Sequence, residues 1–287
     1  MKRRGLVLAL GLGVSALLGA GVALARDADP DPTKSEIWNK VHASLFQSAR
    51  FETNADQVIA LETPVRAEDA SVVPIAIRAR FPQSAERRID RVWLIVDNNP
   101  SPMAAEFQFT SDSGRADIET RIRIEEYTFV RAVARTGDGK MYMVANYVKA
   151  SGGCSAPAGK DPAVAKANLG KMRLRVEEQP VAGKPVLAQL MVSHPNDTGL
   201  AMDQLTRMYA PPHFVRRVEV RYDGKPVMTA DVDFSISENP NFRFYFTAHE
   251  GGQLEASVVD NTDLKFSTAM KLDGSRVASA QPERAPQ

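Results

Sequence analysis

The sequence predicts a mainly β protein, built as two β-sandwich domains with an N-terminal helix and a flexible connector. Three observations carry this. Apolar residues alternate with polar ones in short runs. Turn signals punctuate those runs, notably Gly137-Asp138-Gly139-Lys140 and Asp223-Gly224. No alternation of strand and helix patterns indicates βαβ units. The chain has 287 residues, 44% hydrophobic and 25% charged. At roughly 100–200 residues per domain this suits one large or two modest domains, and it excludes collagen-like, low-complexity and wholly disordered chains.

Residues 1–25 read as a signal peptide. Lys2, Arg3 and Arg4 form a basic start, an apolar run follows from Gly5 to Leu24, and Ala23-Leu24-Ala25 is a small-residue cleavage site. A transmembrane anchor is the rival reading of this run. Arg3-Arg4 also resembles a twin-arginine signal without its surrounding consensus. The leader carries three positive charges and no acidic residue, so removing it takes the net charge from +1 to −2. No other run approaches ~20 apolar residues, so no membrane association is expected after cleavage. The expected location is the periplasm.

Residues 26–149 form the first domain. Thr33 and Glu36 have capping-box spacing. Ile37, Val41 and Leu45, with Trp38 and Phe46 beside them, predict an amphipathic helix from about Ser35 to Ser48. The period then changes to two. Val73, Ile75, Ile77 and Ala79 alternate. Ile118, Thr120, Ile122 and Ile124 alternate against Glu119, Arg121, Arg123 and Glu125. Val92–Val96 is a short buried run, Asn98 to Pro102 a turn, and Phe129–Ala134 with Met141–Val148 a hairpin. Residues 150–181 read as an arm and connector, with a short helix between Asp161 and Gly170. Strands resume in a second domain, 182–274: Val186–Val192, Phe214–Tyr222, Val227–Val232, Phe242–Phe246 and Leu254–Val259. Residues 275–287 read as a disordered tail.

Charge balance argues against nucleic acid as a partner. A single cysteine excludes an internal disulfide and any multi-thiolate metal or iron–sulfur site. That cysteine, Cys154, follows Gly152 and Gly153 and precedes Ser155-Ala156-Pro157, so no apolar run surrounds it. The pattern predicts an exposed thiol on a pliable arm, its two glycines free in φ and ψ. An unpaired thiol in an oxidising compartment tends toward mixed disulfides and oxidation, which favours a functional role over a neutral one. With an ordinary thiol pKa of ~8.5 and no histidine in the segment, a carrier activated by its partner suits it better than a stand-alone nucleophile.

Other chemistry is weaker. His194, His213 and His249 have spacings that match no short metal-ligand motif, so structural roles and no metal are expected. Met202 and Met208 suit packing of a long loop. Asp97 and Glu125-Glu126 are carboxylates without a partner histidine, which gives a hydrolase no footing. No phosphate-binding glycine loop or C-x-x-C motif is present, and no cofactor is expected.

A family resemblance covers most of residues 35–272. In the first half it rests on Pro64 to Ala70, Val73-Pro74-Ile75, Asn99-Pro100-Ser101-Pro102, Thr120 to Ile124, Gly139 to Met143 and Gly152-Gly153-Cys154, which resemble the SoxY sulfur carrier. In the second half Met191 to Gly199, His213-Phe214-Val215, Asp223 to Val227 and Ser237 to Pro240 resemble SoxZ. The chain is thus similar to fused SoxYZ-like carriers associated with quinoprotein (PQQ) dehydrogenases. The resemblance implies immunoglobulin-like sandwiches and a non-catalytic carrier. It implies a covalent sulfur adduct on Cys154, with Gly152 and Gly153 as arm residues. Implied partners are periplasmic sulfur-oxidising or quinoprotein dehydrogenase enzymes and cytochromes. In SoxY the arm ends the chain as Gly-Gly-Cys-Gly-Gly, whereas here Ser155-Ala156 and over a hundred residues follow. Two alternatives stand beside this: an accessory protein of a quinoprotein alcohol dehydrogenase without sulfur carriage, and a generic ligand-binding sandwich. Fusion makes docking of the halves intramolecular, at effective concentrations of ~mM, and implies a persistent interface between them.

Overall fold

The computed structural model describes residues 30–84, 86–157, 162–177, 180–202, 206–249 and 251–272. The expected signal peptide and tail lie outside the described residues. Among those described, no helix is long and apolar enough to cross a membrane.

The first half opens with helix α1, Glu36–Val41, whose N-terminus is capped by the Ser35 hydroxyl accepting from the Trp38 amide at 3.1 Å. It continues as a widened turn over His42–Phe46. Seven strands follow: β1 Ile59–Glu62, β2 Val73–Ala79, β3 Ile89–Val96, β4 Met103–Phe109, β5 Ile118–Ile122, β6 Thr128–Thr136 and β7 Met141–Val148. The second half adds helix α2, Pro162–Asn168, then β8 Met172–Val176, β9 Pro185–Val192, β10 Val215–Tyr222, β11 Lys225–Val232, β12 Asn241–Thr247, β13 Gln253–Asp260 and β14 Lys265–Lys271.

These strands form two sheets, ordered β1-β2-β5-β12-β9-β8 and β14-β13-β10-β11-β4-β3-β6-β7. Every pairing within them is antiparallel. Each sheet crosses from one half of the chain to the other. In the larger sheet β4 pairs with β11, Ala105 opposite Val232 through Phe109 opposite Met228. In the smaller, β5 pairs with β12 at Ile118–Phe244 and Glu119–Arg243. The expected persistent interface is therefore made of main-chain ladders, and one hydrophobic cluster runs through both halves, from Ile77 and Phe107 to Phe242 and Val258.

The hairpin signals hold. Asp223 and Gly224 join β10 to β11 with φ of 49° and 73°, the pair of left-handed residues that matches strand twist in a two-residue loop. Gly139, at φ 85°, turns β6 into β7.

Three elements depart from expectation. In the helix, Trp38 and Phe46 face inward while Ile37 and Leu45 stay exposed. The widened turn shifts the buried face, and Trp38 and Phe46 pack on the outer side of β3, β6 and β7 with Ile95, Val133 and Met141. This cover explains why β6 is buried on both faces through Ala134. The segment 150–181 is not a free connector throughout, since β8 within it pairs with β9 from Met172–Val192 to Val176–Ala188. Finally, β5 ends at Ile122, and Arg123 does not continue the outward row. Its amide donates to Ser235 O at 2.7 Å, and the second half folds over it.

Candidate functional site

The end of β5 builds the site. Ile122 makes an isolated bridge to Ile236, so the chain beyond β5 is gripped by a segment of the second half. Asn99, buried in the Asn98–Pro102 turn, braces it. Its amide donates to Arg123 O at 2.8 Å and to Ser235 Oγ at 3.0 Å, and its carbonyl oxygen accepts from the Glu125 amide at 3.0 Å. Arg123 and Glu125 are thereby fixed on either side of the loop that carries the cysteine.

That loop is clamped. Gly152 N donates to Glu125 O at 2.8 Å and Gly153 N to Ile124 O at 2.9 Å. The Glu125 carboxylate accepts from the amides of Cys154 (2.8 Å) and Ser155 (3.0 Å) and from the Ser155 hydroxyl (2.8 Å). From the second half, Thr198 Oγ1 donates to Cys154 O at 2.7 Å. Cys154 is fully buried.

This corrects the expected exposed thiol on a pliable arm. Composition suggested mobility, but the loop's polar groups are satisfied by the fold, and its glycines serve close packing. A Cβ on Gly153 would stand 2.0 Å from Ala70 O and 2.7 Å from Ile124 O, so only glycine fits there. Gly152 meets no such obstacle but holds φ 81°, a left-handed conformation that side chains disfavour.

Cys154 belongs to neither hydrophobic cluster. Burial first, and then the negative Glu125 and Asp233, push its thiol up to about 12, against the opposing pull of Arg123. At neutral pH the closed loop holds a protonated thiol.

Arg123 is 5% exposed. Its Nη1 donates to Gly153 O at 3.2 Å and its Nη2 to Asn196 O at 3.4 Å, while its buried Nε has no partner. Both acceptors are neutral carbonyls. Burial lowers its pKa, opposed by Cys154 foremost and then by Glu238, Asp197 and Asp69 from a distance. Among the described residues no carboxylate forms an ion pair with it.

A second cluster lies in the loops of the second half, where the strands bring His194 and His213 together and leave His249 apart against Tyr222. His213 Nε2 is 2.8 Å and His194 Nε2 3.6 Å from Asp260 Oδ2. The three are spaced as metal ligands, within 4.8 Å of one another, a proximity that sequence spacing hid. The donor set fits a metal poorly. The Asn196 amide donates to His194 Nδ1 at 3.1 Å, which leaves the ring proton of the neutral imidazole on Nε2. A protonated nitrogen offers no lone pair, and metal-bound histidines donate from their other nitrogen. Burial holds His194 down to about 4, and Asp260 is held down to about 2 by His213, Thr262 and Leu264 against the effect of burial. The arrangement reads as a carboxylate seated between two imidazoles. Both histidines line a cavity of about 710 Å³ with Pro157, Lys166, Asp197 and Glu238.

Asp97 pairs with Arg131 under the N-terminal helix, far in sequence from the cysteine, and serves the fold. Glu125, considered above as a carboxylate without a partner histidine, is the loop clamp. Arg123, Asn99, Asn196 and Thr198 were missed as site residues. Their signal is placement: each sits inside a segment that carries the family resemblance.

Comparison with known proteins gives two matches to family models. Residues 42–154 match SoxY, the sulfur oxidation protein SoxY. Residues 172–271 match SoxZ, the sulphur oxidation protein SoxZ. No curated protein matches the chain. Similar solved structures include the sulfur carrier protein SoxY from Chlorobium limicola f thiosulfatophilum, at 23% identity and TM-score 0.31, covering 39% of this chain and 94% of that one. They also include a beta-glycosidase from Bacteroides vulgatus, at 10% identity and TM-score 0.24, covering 75% of this chain and 24% of that one.

Proposed function

Because this chain belongs to the SoxY and SoxZ families, fused in tandem, we propose that it is a periplasmic, non-catalytic sulfur carrier that holds a covalently attached sulfur group on Cys154. The observation that carries this is the position of the sole cysteine. The SoxY match ends on Cys154, and the fold sets that residue at the seam where Arg123 and Glu125 of one domain meet Thr198 and Asn196 of the other.

Carriage needs the loop to open, because a buried protonated thiol is neither reachable nor nucleophilic. Release of the Glu125 and Thr198 contacts exposes the sulfur and returns its pKa toward the ordinary thiol range. A partner that binds the open loop would supply both, so loading is fast with the partner and slow, through spontaneous opening of the loop, without it. Candidate partners are sulfur-oxidation enzymes or a quinoprotein dehydrogenase system with its cytochromes.

Tetrathionate tests carriage without an enzyme. The thiolate attacks an inner sulfur, the central S–S bond breaks, thiosulfate leaves, and Cys154–S–S–SO₃⁻ remains, while the thiol proton goes to buffer. Intact mass is expected to show one adduct on the folded protein and none on Cys154→Ser. A wild-type protein that stays unmodified through prolonged exposure overturns the reading.

The burial of Cys154 favours one alternative, an accessory protein of a quinoprotein alcohol dehydrogenase with no sulfur chemistry. That reading expects Cys154→Ser to co-purify with the dehydrogenase as wild type does and to support its activity fully. Loss of function in Cys154→Ser with binding intact rejects it.

A further inference from the structure

Among the described residues no carboxylate contacts the buried cation Arg123, and Glu238, Asp197 and Asp69 act on it only from a distance, whereas proteins pair, bond or neutralise such groups because an isolated buried charge is costly. Its two bonds, at 3.2 and 3.4 Å, go to main-chain carbonyls, and its Nε has no partner. One of those carbonyls belongs to Gly153, which places the guanidinium against the residue that precedes the cysteine. Fully paired arginine is available to this fold: Arg131, at 0% exposure, takes both oxygens of Asp97 at 2.6–3.1 Å. Arg123 therefore has donor capacity left over beside the single cysteine of the chain.

Resting on the carrier reading, we propose that Arg123 forms an anion seat for the loaded state, receiving the negatively charged end (sulfonate or perthiolate) of the sulfur group on Cys154. Guanidinium suits this ligand class, since its fork of donors matches the oxygens of a sulfonate as it matches carboxylate or phosphate. The seat explains how a loaded group with a formal charge can be stored in a closed site. Glu125 and Asp233 repel it and Arg123 attracts it, so the unloaded thiol stays neutral and the loaded anion has one place to rest. The binding site spans the seam, because Asn196 of the SoxZ domain holds the second arm of the guanidinium.

The test compares two loads on Cys154. Tetrathionate gives Cys154–S–S–SO₃⁻ as above. Methyl methanethiosulfonate gives the neutral Cys154–S–S–CH₃ and expels methanesulfinate. Thermal unfolding of wild type is expected to show the sulfonate form melting above the methyl form. In Arg123→Gln that order reverses, and in Arg123→Lys, which keeps the charge without the fork, the gap shrinks but keeps its sign. The rate of tetrathionate loading relative to alkylation by neutral iodoacetamide falls at least about tenfold in Arg123→Gln, as loss of a charge-assisted bond implies. If Arg123→Gln does not fold, the two wild-type forms decide: a sulfonate form no more stable than the methyl form overturns the seat. An unchanged order and gap in a folded Arg123→Gln overturns it equally. A wild-type protein that takes iodoacetamide but no tetrathionate adduct instead rejects sulfur carriage, and the seat falls with it.

Discussion

Arg131 and Arg123 lie in the same domain and are both buried, yet their surroundings are opposite. Arg131 is held by the two oxygens of Asp97, by Pro32 O at 2.9 Å, and by the faces of Trp38 and Phe129 at 4.6 and 5.1 Å. Through Pro32 O and Trp38 it fixes the N-terminal segment to the sheet. Arg123 has two long bonds to carbonyls and a seam of two domains around it. A guanidinium saturated by its own fold is a structural post. One left with spare donors beside a thiol is equipped for something that comes and goes.

The largest expected effect breaks the saturated side. Asp97→Ala strands Arg131 in the core, and removing one partner of a buried pair costs about 3–5 kcal/mol. Urea denaturation should show a loss of that order. The Cys154 loop should keep its reactivity in the remaining folded fraction. A loss near zero would mean that Trp38 and Pro32 O suffice for Arg131.

Next comes the imidazole pair. His194 is held down to about 4, from an ordinary 6.5, chiefly by burial. The unfolded ring takes up a proton near 6.5 that the folded ring refuses until about 4. Its contribution to stability is thus full above about 6.5 and lost as pH falls toward 4. At ~1.4 kcal/mol per unit this amounts to about 3 kcal/mol. In His194→Gln the acid-side slope of stability between about pH 6.5 and about pH 4 should flatten relative to wild type. An unchanged slope assigns the acid sensitivity to other groups.

Two loop substitutions sharpen the comparison on the Arg123 side. Gly153→Ala drives a Cβ into Ala70 O and should cost about 1–3 kcal/mol through overpacking, while displacing the loop and raising alkylation of Cys154. Gly152→Ala meets open space at φ 81° and should cost about 1–2 kcal/mol by strain alone. Equal alkylation in the two variants would contradict the close-packing role of Gly153.

For Glu125→Ala the expected stability change is as small as for Gly152→Ala, about 1–2 kcal/mol, because the loop it clamps is short and peripheral to the core. Its kinetic effect is larger. Loss of the clamp opens the loop, and loss of the charge lowers the thiol pKa, so iodoacetamide alkylation should rise about tenfold near neutral pH. Wild-type alkylation should climb with pH toward about 12. A variant no faster than wild type would show that the Thr198 bond and the main-chain bonds of Gly152 and Gly153 suffice to keep the loop shut.

The sequence was most legible where local chemistry decides conformation. Asp223-Gly224 and Gly139 mark their hairpins because left-handed backbone needs such residues. β7 is legible from its apolar and aromatic run. Strands β1, β4, β8 and β14 were not read as strands. β4 begins with Met103-Ala104-Ala105, whose small side chains blur the alternation, and its partner β11 lies more than a hundred residues away. β8 alternates Met172, Leu174 and Val176 with two arginines, but glycines and prolines on either side made the stretch read as connector. For the site, the identity of the important residue was readable and its condition was not. Cys154 stands out by being alone, whereas its burial depends on Glu125, Thr198 and Ala70, none of which its neighbours in sequence reveal. Arg123 looked like one more outward charge on an alternating strand, and only the strand's end at Ile122 turns it inward.

The crossing of both sheets from one half to the other has a consequence for any separated form of the two domains. Cut apart, β4 and β11 would each present a bare row of amides and carbonyls, as would the shorter borders of β5 and β12. Such borders invite pairing with whatever strand arrives first, including copies of themselves. Carrying both domains on one polypeptide supplies the correct strand in a strict one-to-one ratio as the chain is made, and so guards the folding protein against self-association.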